Sequence, residues 1–251
     1  NCEILVPGKV VLTENSGMLP QHQFGQLVNL EEVAPSVATF DLELDQPITF
    51  LAGQYLLLRL PAMAGYRPYS MTSFSICSQN PSFVIKFVPG GRFSETLFND
   101  NFKAARVDVF GPMGKATFDP TEERDLTCMV GGSGIAGIMS ILRQSRDINY
   151  FSEHKLTMVF GVRKPEDFFF LDELRDIQES VPANINIHLA VSDSSDSNSV
   201  PAELSGLPIW RGFVHEVAER VMGKDLSGRL GLLGGPPAML DGSLRLLLSA
   251  G

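Results

Sequence analysis

Leu51-Ala52-Gly53-Gln54-Tyr55-Leu56-Leu57-Leu58-Arg59-Leu60-Pro61 is an apolar run closed by a proline. The chain then returns through Met63-Ala64-Gly65-Tyr66 into Arg67-Pro68-Tyr69-Ser70. The run predicts a strand over residues 51–60, and the return predicts a second strand over 69–76. Extended backbone sets Arg67 and Tyr69 on one face. An arginine, a phenol and a hydroxyl within four residues suit a flat, anionic, aromatic ligand. The guanidinium grips phosphate, the ring stacks, and the hydroxyl exchanges a hydrogen bond with a ring nitrogen. By themselves the four residues also describe an edge strand with one core tyrosine and a solvated arginine.

Outward from this stretch, residues 25–30 and 38–44 alternate apolar and polar side chains, and residues 82–88 and 105–110 add further short apolar runs. Short strands separated by turns predict a small antiparallel β-barrel. One helix interrupts it, entered through Pro89-Gly90-Gly91-Arg92-Phe93 with Ser94 as the expected N-cap. Glycines ahead of a helix let backbone N–H groups approach an anion. Gly111-Pro112-Met113-Gly114 reads as a tight turn.

Composition shifts at residues 119–124, where a boundary is expected. Beyond it, strands at 125–130, 155–160, 185–191 and 229–233 alternate with helices at 135–146, 169–179, 213–222 and 238–248. That order predicts an α/β unit with a parallel sheet covered on both faces. The expected organisation is a tail or linker over 1–19, a barrel over 20–120 and an α/β unit over 121–251. In such sheets ligands bind beyond the carboxyl ends of strands, where the glycines cluster. Gly131-Gly132-Ser133-Gly134-Ile135-Ala136-Gly137 contains a G-x-G-x-x-G, from Gly132 to Gly137. The acid expected about 20 positions later is absent, because the next strand ends in Phe160-Gly161-Val162-Arg163. A phosphate-cradling loop remains the better account of the glycines. Gly234-Gly235-Pro236-Pro237-Ala238-Met239 is a second strand-to-helix turn, with Pro237 suited to the first helical position.

The 251 residues carry a net charge of −9, with 44% hydrophobic side chains. The chain can therefore bury sizeable cores, and it lacks the basic face that a nucleic-acid partner requires. No apolar stretch reaches the ~18 residues of a membrane span, so no membrane partner is expected. Cys2, Cys77 and Cys128 are odd in number and scattered, forming neither a disulfide framework nor a metal-binding set. A reducing, cytoplasmic setting is the expectation.

The order of the motifs is more specific than any one of them. Arg67-Pro68-Tyr69-Ser70, Gly91-Arg92-Phe93-Ser94 and Gly111-Pro112-Met113-Gly114 precede Gly131–Gly137, Phe160-Gly161-Val162-Arg163 and Gly235-Pro236-Pro237-Ala238-Met239. Over roughly residues 24–248 this resembles the ferredoxin–NADP reductase family, and within it the NADH-using reductase components of bacterial oxygenases. The resemblance implies a flavin-binding barrel, an NAD-binding α/β domain, and FAD and NAD(H) meeting at the cleft between them. It implies that Arg67, with Pro68 beside it, binds flavin phosphate, that Tyr69 stacks on the isoalloxazine, and that Ser70 bonds the hydride-accepting nitrogen. Ile85, Lys86 and Phe87 would run beside the flavin, and Gly91, Arg92, Phe93 and Ser94 would hold the pyrophosphate. Gly132, Ser133, Gly134, Ile135 and Ala136 would receive the nucleotide's phosphates. Gly161, Val162, Arg163, Gly235, Pro236, Pro237 and Met239 would line the rest of its path. No metal ligand is implied within these residues.

The resemblance further implies an iron–sulfur acceptor, either a ferredoxin or an oxygenase component. A 2Fe-2S cluster would lie in a partner or in a domain ahead of Asn1, whose tail residues 2–7 resemble. A non-catalytic flavin- or nucleotide-binding regulatory module is the alternative. An electron-transfer subunit of a biosynthetic dehydrogenase would need a C-terminal cysteine cluster, which the sequence lacks. NADH preference is expected from Ser192-Asp193-Ser194-Ser195-Asp196, where NADPH-using relatives place serine and arginine and no cation is near. The sequence departs from the family in having Gly137 for proline and Gly234 for cysteine. Glycine at 234 is expected to leave the strand end freer and the nicotinamide less well held.

Overall fold

A computed structural model of the chain describes residues 19–61, 63–99, 106–193, 203–223 and 225–251. The expected tail strand at residues 2–7, and Ser194 to Asp196 of the acidic loop, lie outside the described residues.

Six strands make the first sheet: β1 (Gln21–Ala34), β2 (Val37–Leu44), β3 (Tyr55–Arg59), β4 (Arg67–Ser70), β5 (Ser82–Lys86) and β6 (Arg106–Met113). Their order is β4-β3-β6-β1-β2-β5, and every pairing is antiparallel. The two edges meet just past β4, where Met71 bridges Phe83 and the Thr72 N–H donates to the Ser82 carbonyl at 2.8 Å. The sheet therefore curls into a barrel. Alternation drives the closure: Phe40, Leu42 and Leu44 of β2 and Leu56 and Leu58 of β3 all point inward and are buried. The Phe40 and Phe83 rings stack inside with centroids 5.1 Å apart.

Several boundaries differ from the sequence expectation. Residues 51–54 turn instead of extending, because the Gln54 N–H bonds the Leu51 carbonyl and the Gln54 side chain accepts from the Leu51 N–H. The second strand starts at Arg67 and ends at Ser70, since the backbone then changes partner. Met71 donates to Gln54, and Thr72 to Ser82 on the opposite edge. Residues 111–113 are strand: Gly111 pairs with Gln21 and Met113 with Tyr55. Helix α1 (Arg92–Asn99) begins two residues before Ser94, so Ser94 lies inside its first turn and is not the N-cap. Its hydroxyl is 3.1 Å from the Val88 nitrogen, whose N–H it accepts, and 3.0 Å from the Gly91 carbonyl, to which it donates.

The second sheet holds β7 (Leu126–Gly131), β8 (Leu156–Val162), β9 (Ile185–Val191), β10 (Glu203–Leu204), β11 (Leu207–Arg211) and β12 (Leu230–Gly234), in the order β10-β11-β9-β8-β7-β12. All pairs are parallel except the β10–β11 hairpin. That hairpin has no counterpart in the sequence expectation. Its strands are short, and Pro208 interrupts the apolar run. Trp210 of β11 donates from its indole N–H to His188 Nδ1 at 3.2 Å.

Every residue of β7 is buried, as a central strand covered on both faces requires. Helices α2 (Ala136–Asp147) and α3 (Leu171–Ser180) cover one face, and α4 (Val214–Met222) and α5 (Pro237–Ser249) the other. Cys128 lies at the centre of β7, where burial pushes its thiol up to about 12. The core under α2 continues into the barrel through Val37, Ala52, Val84 and Phe118.

A polar cluster ties the loop before Arg67 to the barrel wall. Asp108 of β6 is nearly buried; its carboxylate accepts from Arg59 and lies 2.5 Å from His22 Nε2. Arg59 in turn lies over the Tyr66 ring, 4.9 Å from its centroid. Burial alone would raise the Asp108 pKa, but the bonds from Arg59, Tyr66 and His22 outweigh it and hold the carboxyl below its ordinary value. A depressed folded-state pKa gives stability that is present above the unfolded-state pKa and lost as pH falls through the folded one. Asp108→Asn is therefore expected to destabilise the chain at neutral pH by on the order of 1 kcal/mol. The gap from wild type should close as pH falls below about 4. Urea unfolding at stepped pH checks this; parallel curves throughout would refute it.

Candidate functional site

One cavity of about 1150 Å³ runs between the barrel and the carboxyl ends of the parallel strands. On the barrel side β4 presents Arg67, Pro68, Tyr69 and Ser70, and β5 presents Ile85 and Lys86. The α1 entry adds Gly91, Arg92, Phe93 and Ser94. From the second sheet come Gly132, Ser133, Gly134 and Ala136 after β7, then Gly161, Val162 and Arg163 after β8. Ser192 after β9 and Gly235, Pro236 and Met239 after β12 complete that side. Twenty-one separate sequence expectations thus converge on one space. Four residues do not face it. Phe87 packs edge-on against Phe98, Ile135 is fully buried in the core, and Pro237 and Asp193 are off the lining although their neighbours Pro236 and Ser192 are on it.

The chemistry of the wall is distinctive. The chain is acidic, yet Arg67, Lys86, Arg92 and Arg163 all line this cleft, against a single carboxylate among the described residues, Asp167. Such a wall attracts an extended anion. The Arg67 Nη1 group donates to the Tyr66 carbonyl at 2.9 Å, which fixes the guanidinium at the mouth. Tyr69 leans on Phe93, with ring centroids 4.9 Å apart, and meets Phe40 edge-on. Burial raises its phenol well above the ordinary range, with Arg67 pulling weakly the other way, so the ring is neutral and apolar at physiological pH.

At the α1 entry the loop amides are already engaged. Gly90 donates to Glu95 Oε1 at 2.6 Å and Gly91 to the Val88 carbonyl at 2.8 Å. What remains for an anion is the first turn of α1 itself, whose N–H groups have no intrahelical acceptor. A β-carbon at Gly91 would sit 2.8 Å from the Val88 carbonyl, so this tight approach requires glycine.

Across the cleft, Gly134 rests directly on Gly234. A β-carbon on Gly234 would lie 2.2 Å from the Gly134 carbonyl oxygen, and one on Gly134 would lie 2.4 Å from Gly234 carbon. The expectation that glycine frees this strand end is overturned: the two backbones touch because neither carries a side chain. A second correction concerns Asp193. A cation is near, with Arg163 Nη2 4.0 Å from its carboxylate, and the Asp193 N–H donates to the Arg163 carbonyl at 2.9 Å.

The sequence reading missed the turn after β11. Gly212, Phe213, Val214 and His215 all line the cavity. Phe213 is more than half exposed, and its ring lies parallel to that of His215 at 6.0 Å. A flat aromatic shelf of this kind suits a planar ring. An exposed phenylalanine after a glycine at a helix start was the available signal, hidden because β11 was not recognised.

Two family models match the chain in series, an oxidoreductase FAD-binding domain over residues 25–118 and an oxidoreductase NAD-binding domain over residues 129–244. The chain belongs to the ferredoxin–NADP reductase-like family of FAD- and NAD-binding reductases. Members of this family resemble it along most of its length. The ferredoxin–NAD(P)+ reductase CarAd of Metapseudomonas resinovorans is 30% identical over 230 residues, covering 90% of this chain and 64% of that protein. The reductase component of propane 2-monooxygenase from Mycolicibacterium smegmatis is 29% identical over 198 residues, covering 79% of this chain and 55% of that protein. Among solved structures, the ferredoxin reductase in carbazole 1,9a-dioxygenase aligns with a TM-score of 0.78 at 29% identity, covering 94% of this chain and 67% of that one. The chain spans between about half and two thirds of the length of these curated relatives.

Among the described residues no group of histidines, cysteines and carboxylates could hold a metal ion, and no helix is long and apolar enough to cross a membrane.

The Gly134–Gly234 contact generates a direct test. Gly234→Cys and Gly234→Ala should each destabilise the chain, by about 1–3 kcal/mol, as overpacking against backbone does. Urea unfolding of the protein without cofactors measures this. An unchanged midpoint would show that the Gly132–Gly134 loop yields freely.

Proposed function

We propose that this chain is an NADH-dependent flavin reductase that takes hydride from NADH onto FAD and hands electrons singly to an iron–sulfur protein or oxygenase partner. One observation carries the reading: Ser70 of the barrel strand abuts the start of α2. A β-carbon on Gly137 would lie only 3.7 Å from the Ser70 hydroxyl. The phosphate-type loop of one sheet and the Arg67–Ser70 strand of the other thus share a single cavity. The family supplies the cofactor classes, and the relatives' names supply the acceptor class.

In this reading residues 20–120 form the FAD-binding domain and residues 121–251 the NAD-binding domain. Bound FAD supplies the hydride acceptor and the one-electron donor, so the protein needs no acid–base pair of its own. Arg67 neutralises flavin phosphate. Tyr69, neutral and half-buried, offers its face to the ring system, and Ser70 offers its hydroxyl to the reacting ring nitrogen. The first turn of α1 takes the pyrophosphate through backbone N–H groups, beside the Arg92 charge. Gly132, Ser133 and Gly134 take nucleotide phosphates, while Phe213 and His215 receive a ring. Asp193, off the lining but next to Ser192 on it, pairs with Arg163; its carboxylate can accept from a ribose hydroxyl at the rim and holds back a cation that a 2′-phosphate would need. Free thiols at Cys77 and Cys128 support a reducing, cytoplasmic location.

A non-catalytic flavin- and nucleotide-binding module is the second reading, favoured by Gly234, which stands where the resembled family carries cysteine. Anaerobic titration with NADH decides between them. A reductase bleaches the flavin absorbance in proportion to added NADH, and a module leaves it unchanged.

The flavin released by heat should be FAD, identified by chromatography, because a mononucleotide would leave the α1 entry unused. Arg67→Ala should weaken flavin binding by about 1.5–3 kcal/mol, roughly tenfold to a hundredfold. Arg92→Ala should cost far less, since that site works mainly through backbone. Dominant FMN, or equal losses in the two variants, would overturn the assignment.

NADH should be favoured over NADPH in kcat/KM, and Asp193→Asn should narrow the gap by releasing Arg163 from its carboxylate partner. Comparable values for the two nucleotides in the wild-type chain would defeat this claim.

A further inference from the structure

Arg143 sits on α2 at the seam between the two sheets, and its guanidinium has different partners on its two edges. Nε and Nη2 donate to the two carboxylate oxygens of Glu173 on α3, each at 2.7 Å. Nη1 donates to the Thr72 carbonyl of the barrel at 2.6 Å. The same group lies over the Phe170 ring, 5.8 Å from its centroid. One turn earlier on α2, the Ser140 hydroxyl donates to the Ser73 carbonyl at 2.8 Å.

The placement of these partners gives the contact its meaning. Thr72 follows Ser70 by two residues, and its own N–H is bound to Ser82 across the barrel closure. The peptide groups at this point are therefore fixed to the barrel on one side and to α2 on the other. The amino end of α2 follows directly from the Gly132–Gly134 loop, so one rigid helix carries both the nucleotide loop and the barrel clamp. At the other end of the clamp, Phe170 adopts φ 60, a left-handed conformation that bulky side chains rarely take. Arg143 lies over its ring while bonded to Glu173 one turn onward, and the residue just before it, Phe169, lines the cavity.

We propose that Arg143, held by Glu173, is a positioning residue that sets the approach of the nicotinamide to the flavin by clamping residues 70–73 to the nucleotide-binding unit. The inference rests on the flavin–nicotinamide reading above. Arginine is required because a planar fork serves a carboxylate and a carbonyl at once, whereas a lysine ammonium is a single point charge on a flexible stem. Neither side chain touches the cavity, so cofactor affinities should be spared while the geometry between cofactors is not. A misplacement of about 1 Å is sufficient to cost on the order of 10²-fold in rate.

The test uses Arg143→Ala, Arg143→Lys and Glu173→Gln, the last two conserving size should the alanine variant fold poorly. In the protein without cofactors, hydrogen–deuterium exchange should rise at residues 70–75 and 168–173 and stay unchanged in β7 and β9. A general loss of stability would raise exchange everywhere. With FAD bound, single-turnover reduction by NADH should fall roughly tenfold to a hundredfold, while flavin and nucleotide Kd values stay within about threefold. Arg143→Lys should recover part of both effects. Unchanged local exchange, or a wild-type reduction rate in a variant whose local exchange has risen, would overturn the proposal. A wild-type chain that binds FAD but takes no hydride would remove the functional reading itself, and that shows before any variant is compared.

Discussion

The structure depends on glycines at the carboxyl ends of three neighbouring strands, the last residue of β7 and of β12 and the last but one of β8. Gly131 of β7 pairs with Gly161 of β8, and Gly234 of β12 pairs with Val130, one step before. A parallel sheet directs its carboxyl ends toward one edge, and here the glycines leave gaps in the side chains along it. The vacancy is filled from outside. Val214 of α4 descends to within 2.2 Å of where a Gly161 β-carbon would be, and Met239 of α5 comes within 2.6 Å of the equivalent point on Gly131. The helices therefore sit closer to the strand ends than any larger residue would permit. Between those side chains the glycine backbone of residues 131, 132, 134, 161 and 235 is left open to the cavity, which suits a phosphate-bearing ligand.

Much of this was legible in the sequence because it is local. Strand alternation in residues 38–44, the glycines at 131–137 and Gly235-Pro236-Pro237 each encode their own geometry within a few residues, and a parallel sheet follows from alternating strands and helices. What the sequence hid is non-local. Residues 51–54 are as apolar as a strand, but a side-chain bond from Gln54 turns them. Residues 111–113 look like a turn, yet lie in the barrel wall because β1 and β3 are there to pair with them. The Gly134–Gly234 contact joins residues a hundred positions apart, and no single-residue reading reveals that two absent side chains face each other. The cation beside Asp193 was similarly invisible, since Arg163 reaches it only when β8 and β9 run side by side.

The seam between the two units is apolar first and polar second. Val37, Ala52, Val84 and Phe118 from the barrel share one core with Ile135, Ile138, Ile141 and Leu142 around α2. Dispersion and apolar burial hold the units together without specifying an angle between them. Ser140 and Arg143 add the direction, through hydrogen bonds to two consecutive carbonyls. Where the apolar seam stops, the cavity begins, and its wall changes at once to arginine, lysine and glycine. Asp108 plays the matching role on the far side of Arg67, anchoring the wall from which that side chain reaches out.

Trp210 is the single tryptophan of the chain. It lies two residues before Gly212 on β11, partly exposed, with its indole N–H bound to His188. Tryptophan emission from this molecule therefore comes from one place, beside the aromatic turn at the nucleotide end, and the barrel contributes only tyrosine. The fold thus carries a built-in fluorophore whose colour and brightness report on one end of the cleft, spectrally separate from any visible chromophore lodged at the other. Both halves of the molecule can be followed in a single optical experiment, with no label attached.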